Sequence, residues 1–539
     1  MVGLIVGANH EPRERVLAKR FVAAWTRGDY GGMYQLLSQS SQDQFPAAQF
    51  TRLYKDAAET ATLEHVQQAA PMRTSGGTYE VPMRAVTRTF GTLNGTLRFQ
   101  VVTEGNDLSG VSFARQMVFP GLGAGQTLHR TVVMPPRAEL EARDGRVLAT
   151  GSDRTSPVGP LAAEVVGHMG PIPAEDAARY AKLGYPPDAA VGISGLERQF
   201  ETRLAGSFGG TLRAGPRLLA SAEPKEGDSV RTSIDLDLES AAVTALAGRL
   251  GGIAVLRPKT GEVLALAGIG YSAPQPPGST FKIITLSAAL DAGIAKPTDT
   301  FAVQTSALLS GVELQNANGE ACGGSLAASF AESCNSVFGP LGAKLGATRL
   351  VAAAERFGFN RDDGIAGAPA GAIPPPGEIG DDLAVGSSAI GQGRVTSTPL
   401  RMAEVGGVIA NKGVLVRPTL LRGDQGARSR ATTKKTAKFV NLAMRGVVAG
   451  GTGYLAALPG VTVAGKTGTA ELRSTVPDPN ATPDPNAPPE DPNADTDAWF
   501  VCFAPAKKPK IVVAVLLVGA GAGGATAAPA ARTVLDAAF

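Results

Sequence analysis

The clearest capacity for covalent chemistry lies in PPGSTFKIITLSAALDAG, residues 276–293. Pro277-Gly278 breaks the chain just before Ser279, and an apolar helical run follows. Ser279 is thereby expected at a helix N-terminus, where unpaired N–H groups and the helix dipole stabilise developing negative charge. Lys282 follows three residues on, and side chains at that spacing share a helix face, with Cβ atoms about 5–6 Å apart. Phe281, Ile283, Ile284 and Leu286 surround the lysine and leave little room for a polar face. Desolvation lowers the proton affinity of such a lysine, so it can act as general base for a serine. Taken alone, Ser-x-x-Lys is a common chance pattern whose ordinary meaning is a capping serine and a solvated lysine. Two further stretches change its weight. In AESCNSVF (331–338), Ser333 and Asn335 bracket Cys334 at the end of an alanine-rich helix. A hydroxyl can relay a proton, and an amide can hold a substrate amide and a lysine together; by itself the pattern reads as a turn or cap. In GKTGTAEL (465–472), Lys466 and Gly468 share one strand face while Thr467 points the other way. Gly468 lets a ligand approach the backbone, and Lys466 offers a charge for a carboxylate. The N–H groups of Thr469 and Ser279 can together form an oxyanion hole. By itself this stretch is an edge-strand kink, and a second Lys-Thr-Gly, in RPKTGEV around Lys259, reads as a turn without chemistry.

The elements that must position these residues follow from periodicity. Residues 12–39 are expected to be helical with a break at Gly28-Asp29, and 47–68 to continue helical. TYEVPMRAVTRTFGTLNGTLRFQVV then alternates as strands do, with Asn94-Gly95 as a hairpin turn signal. This predicts a small α+β domain over 12–122. Residues 123–228 read as a mixed linker, or pedestal, domain with a turn at Asp144-Gly145 and a helix stopped at Gly206. From 229 to 539 the pattern is a helix, two apolar strands over 251–268, a mainly helical run to about 455, three strands (461–472, 497–505, 510–520) and a terminal helix. A sheet split in sequence around a helical block, with helices on both faces, is an α/β sandwich.

Totals bound the answer. The chain has 539 residues, too many for one core. Hydrophobic content of 43% with 18% charged residues suits a globular protein, and a net charge of +3 gives no argument for nucleic acid. Four scattered histidines and three cysteines without a C-x-x-C offer no zinc spacing. Cys322 and Cys334 either pair, in an exported protein, or stay free. The apolar start MVGLIVGA is too short for a signal segment; it is either the stub of an anchor or an ordinary terminus. Residues 475–496 carry three Asp-Pro-Asn copies and no base. They join the Lys-Thr-Gly strand to the next one, either as a tolerated surface insertion or as an acidic arm over the cleft.

Ser-x-x-Lys, Ser-x-Asn and Lys-Thr-Gly in this order are the motif set of penicillin-binding proteins. The chain resembles a class B member over nearly its whole length, in GGIAVLRPKTGEVLALAG, PPGSTFK, SCN, SSAIGQGRVTSTPLRMA, GKTGTAE and AWFVCFAP. AAWTRGDYGGMYQLLS and VFPGL resemble the nuclear transport factor 2-like domain at the front of the methicillin-resistance type. The resemblance implies a penicillin-binding/serine β-lactamase-like fold, in which helices sandwich an antiparallel sheet, behind a small α+β domain. It implies a peptidoglycan D,D-transpeptidase with Ser279 as acylated nucleophile, Lys282 as its base and Ser333 as proton shuttle. Asn335 would bind the donor amide, and Lys466, Thr467 and Thr469, with the open Gly468, the terminal carboxylate. The substrates implied are stem peptides ending in D-Ala-D-Ala, with β-lactams as acylating mimics. No cofactor, metal or nucleic acid is implied, and a glycosyltransferase is an expected partner. The resemblance also implies an extracytoplasmic location, with an anchor outside this numbering. The competing functions are a D,D-carboxypeptidase or β-lactam hydrolase, and a β-lactam sensor on the same fold.

Overall fold

The computed structural model describes residues 11–104, 108–471 and 495–539. The apolar start and nearly all of the Asp-Pro-Asn stretch lie outside the described residues. The chain forms two compact units: Met1–Ala138, Met169–Ile193 and Glu201–Asp228 make the first, and Glu139–His168, Ser194–Phe200 and Ser229–Phe539 the second.

In the first unit, helices Arg13–Thr26 (α1), Tyr30–Tyr34 (α2), Gln39–Gln44 (α3) and Ala47–Thr60 (α4) precede a five-stranded antiparallel sheet. Its strands are Leu63–Gln68 (β1), Met72–Arg73 (β2), Thr78–Thr87 (β3), Gly91–Glu104 (β4) and Leu108–Ser112 (β5). Tyr79, Val81, Met83 and Ala85 alternate inward along β3 and pack with Phe21, Val22 and Trp25 of α1. Two expectations fail here. Residues 63–68 form a strand, not the end of a helix: Thr62 takes φ +50° and ends the helical run, and β1 pairs along β3. Asn94-Gly95 is no turn: it lies inside β4, opposite Arg84 and Met83. Gly95 is there for a tertiary reason, since a Cβ would stand 2.8 Å from the Pro120 carbonyl.

The second unit is built on Leu236–Leu246 (α5) and a central antiparallel sheet. The sheet contains Gly251–Leu256 (β6) and Val263–Gly268 (β7). Lys282–Asp291 (α6) follows, then four short strands that the expected helical run did not include: Thr300–Gln304 (β8), Ser306–Leu309 (β9), Val312–Gln315 (β10) and Cys322–Ser325 (β11). Helices Leu326–Ala331 (α7), Asn335–Leu345 (α8), Pro399–Ala410 (α9) and Lys434–Ala449 (α10) come next. Strands Ala464–Glu471 (β12), Thr496–Ala504 (β13) and Ile511–Leu517 (β14) complete the sheet in the order β7-β6-β14-β13-β12, and Ala527–Ala538 (α11) closes the chain. Phe500, Cys502, Val513 and Val515 face α5 and α11 in one core. Gly406 of α9 packs on Val501 and Val512 on the opposite face. Burial on both faces explains why β14 is apolar without alternation. The sandwich expected from sequence is the fold found.

α9 also anchors the approach to the site. Arg401 is buried between Glu404, 2.9 Å away, and Asp363. Loss of solvent pushes the Glu404 carboxyl well above its usual range, against the pull of Arg401. The segment just before this helix holds the chain entering the nucleophile turn, through paired 2.8 Å bonds between Ser397 and Gln275.

Candidate active site

Ser279 lies in a 3-10 turn, Gly278–Phe281, that runs directly into α6. The turn is set by Gly278 at φ +52°, whose N–H donates to the Gly391 carbonyl at 3.0 Å. A Cβ on Gly278 would sit 2.6 Å from the Thr469 carbonyl, so only glycine lets this turn press against β12. Thr280 locks it by donating to the Pro277 carbonyl at 2.6 Å. Ser279 is half-buried, and its hydroxyl makes no hydrogen bond among the described residues. The Ser279 turn thus presses against the Thr469 backbone of the edge strand, and Ser279 and Thr469 are both partly open.

Behind them the two lysines meet the Ser-Cys-Asn turn. Lys282 Nζ donates to the Ser333 carbonyl at 2.6 Å, to Asn335 Oδ1 at 2.6 Å and to Ser333 Oγ at 3.3 Å. Lys466 Nζ donates to Ser333 Oγ at 2.8 Å and to the Thr467 carbonyl at 3.0 Å. The Ser333 hydroxyl thus stands between both amines. Ser333 adopts φ +64°, a left-handed conformation that costs a non-glycine residue about 1 kcal/mol and is characteristic of functional turns. Both lysines are fully buried. Burial first, then repulsion from Lys466, pushes Lys282 well below the usual lysine range. Burial lowers Lys466 to about 7, opposed by the charge of Glu332. A neutral Lys282 keeps two N–H groups for its two short bonds and frees a lone pair for a hydroxyl proton.

The structure brings Ser333, Asn335, Lys282 and Lys466 into one hydrogen-bonded cluster. The Ser279 turn packs on β12 at Gly468 and Thr469, and no hydrogen bond joins Ser279 to the cluster among the described residues. Gly468 faces the nucleophile turn: a Cβ there would come within 2.9 Å of the Pro277 carbonyl. Thr467 lies on the opposite strand face, its hydroxyl 2.6 Å from that of Thr452. Sequence reading missed Thr452, which no motif marks, and Gln315, whose carbonyl accepts from Asn335 Nδ2 at 2.9 Å.

Cys322 and Cys334 form a disulfide, which resolves the alternative left open by sequence. It ties β11 to the residue between Ser333 and Asn335. A bridge closing a loop of about this length contributes about 3 kcal/mol through the unfolded chain. We predict that Cys322→Ser/Cys334→Ser lowers stability by 2–3 kcal/mol, roughly, as read by denaturant titration. A midpoint equal to that of the parent protein would show that the fold holds the turn unaided.

Comparison with known proteins now decides the family. The penicillin-binding protein transpeptidase domain profile matches residues 251–536, over half of the chain. The chain belongs to the penicillin-binding protein transpeptidases. Two further profiles match: the penicillin-binding protein dimerisation domain over 138–214, and the NTF2-like N-terminal transpeptidase domain over 13–126. Both resemblances read from sequence, to a class B protein and to its front domain, are borne out. The peptidoglycan D,D-transpeptidase PbpA of Mycolicibacterium smegmatis is 32% identical over 409 residues, covering 64% of this chain and 76% of that one. Among solved structures, the penicillin G acyl-enzyme of penicillin-binding protein A from M. tuberculosis aligns at 28% identity and a TM-score of 0.58, covering 75% of this chain and 99% of that one. Pseudomonas aeruginosa PBP2 in complex with WCK 5153 aligns at 27% identity and a TM-score of 0.63, covering 76% and 96%. This penicillin-binding transpeptidase carries its motif residues on the elements described above, with the disulfide inside its Ser-x-Asn turn.

Proposed function

We propose that this transpeptidase cross-links peptidoglycan stem peptides through an acyl-enzyme on Ser279, and that β-lactams acylate the same oxygen. The observation that carries the reading is the cluster of Lys282, Ser333, Asn335 and Lys466, set behind a half-buried serine whose hydroxyl is unengaged. Neutral Lys282 takes the Ser279 proton as Oγ bonds to the penultimate D-Ala carbonyl carbon. The N–H groups of Ser279 and Thr469 hold the oxyanion. The bond to the terminal D-Ala nitrogen breaks, and Ser333 passes the proton from Lys282 to that leaving amine. A neighbouring stem-peptide amine then attacks the ester and Ser279 regains its proton. Asn335 holds the donor amide, and Lys466, Thr467 and Thr469 hold the terminal carboxylate against the open backbone at Gly468. No step calls for a metal or organic cofactor.

We also assign 12–122 as the front domain, 123–228 as the pedestal and 229–539 as the transpeptidase domain, with 1–11 as a tail. An extracytoplasmic site of action is supported by the disulfide, since such bonds persist in oxidising compartments. No helix among the described residues is long and apolar enough to cross a membrane. Membrane anchoring from outside this numbering and a glycosyltransferase partner are proposed on the family resemblance alone.

Time-resolved intact mass after mixing with penicillin G tests the reading. A long-lived adduct on Ser279 supports a transpeptidase, and full turnover within seconds means a hydrolase. Acylation by a thioester donor without transfer to any amine means a sensor. The pH profile adds a second check. Acylation needs Lys282 neutral and Lys466 charged; burial lowers both lysines, and repulsion from Lys466 lowers Lys282 further. The second-order acylation constant, which reports the free enzyme, is expected to rise with pH as Lys282 loses its proton. It should then fall above pH about 7 as Lys466 loses its charge.

A further inference from the structure

We propose that Asn316, outside every motif of the family set, is the positioning residue for the Ser-Cys-Asn turn. The inference rests on the catalytic reading above. Asn335 opens α8, and its neighbour Ser336 presents one of the N–H groups that a helix start leaves without a partner. A local side chain usually answers such groups, but the capping position is Cys334, which is disulfide-bonded and makes no cap. Asn316, at the end of the β9–β10 hairpin, supplies the cap from a distance: its Oδ1 accepts from Ser336 N–H at 2.8 Å. Its Nδ2 donates to the Gln304 carbonyl at 2.8 Å and to the Glu320 carbonyl at 2.9 Å. The side chain is 5% exposed. Its amide orientation is fixed by chemistry, with two carbonyls facing the nitrogen and one N–H facing the oxygen.

The same hairpin end touches the catalytic asparagine. Gln315, one residue before Asn316, accepts from Asn335 Nδ2 at 2.9 Å, while Lys282 donates to Asn335 Oδ1 at 2.6 Å. The Gln315 carbonyl can only accept, so one Nδ2 hydrogen must face it, and Oδ1 is left to face Lys282. The other Nδ2 hydrogen remains for the donor peptide. Asn316 thereby sets both the start of α8 and the carbonyl that orients Asn335, without touching substrate.

The test is penicillin G acylation, followed by intact mass and normalised to folded protein by circular dichroism. The parent protein must first give the Ser279 adduct; its absence there would sink the catalytic reading and leave Asn316 unneeded. Asn316→Ala is expected to slow acylation on the order of 10- to 100-fold, the scale of a mispositioned catalytic group. Asn316→Asp keeps the acceptor for Ser336 but aims a carboxylate at two carbonyls. Protonation restores one donor, so the ratio of its acylation constant to the parent's should climb as pH drops from 7.5 to about 5. A purely structural residue would lower the melting temperature and leave the normalised constant and its pH ratio flat. That outcome overturns the proposal, and the Asn316→Asp profile decides the matter even if Asn316→Ala fails to fold.

Discussion

Ser279→Ala is expected to abolish the penicillin G adduct and stem-peptide turnover while leaving the melting curve where it was. The two halves of this expectation have separate causes. Ser279 Oγ makes no hydrogen bond among the described residues, and the turn around it is held by Gly278, Thr280 and the Gly391 carbonyl. Removing the hydroxyl therefore orphans nothing, and the change in stability should stay within about 0.5 kcal/mol. Chemistry, in contrast, loses its only acyl acceptor. Elimination of a nucleophilic serine costs on the order of 10⁶-fold even when the rest of the machinery survives. Intact mass and thermal melting on the same sample read both halves. An adduct of unchanged mass on the variant would move the nucleophile elsewhere, with Ser333, between the two lysines, the first candidate.

What sequence revealed, and what it hid, divides along a physical line. Ser279 with Lys282 and Lys466 with Gly468 were legible because their relations are local: three residues on a helix, two on a strand. Runs such as those of β13 and β14 were legible because strands buried on both faces have no other composition available. Other features stayed hidden because their reason lies far away in the chain. Gly95 makes room for Pro120, which the rule for Asn-Gly turns cannot know. Arg401 and Glu404 are spaced like a solvent-exposed helical pair, yet both are buried because Asp363 arrives from another segment. Cys322 and Cys334 meet because β8 pairs with β11 and folds back on the Ser-Cys-Asn turn. Gln315 acts through a backbone carbonyl, for which no side chain gives a signal.

Lys282→Met tests the division of labour between the two lysines. Loss of a general base typically lowers a rate by about 10²- to 10⁴-fold, and methionine keeps the volume of the side chain in a helix buried on all sides. The effect on stability has opposing parts. Methionine removes an amine that is costly to bury and that repels Lys466. It also leaves the Ser333 carbonyl and Asn335 Oδ1 without their short bonds, at about 1–3 kcal/mol for each orphaned buried acceptor. Two buried acceptors lose short bonds at once, against the relief of a single buried amine, so the orphaned acceptors should win. The melting temperature is expected to fall while the chain still folds. The decisive readout is the shape of the pH profile for residual acylation. With Lys282 gone, the rising limb should vanish and only the fall above pH about 7, from Lys466, should remain. Persistence of the rising limb would make Lys466 the base, acting through the Ser333 hydroxyl it already contacts at 2.8 Å. Lys282 would then be left to orient Asn335.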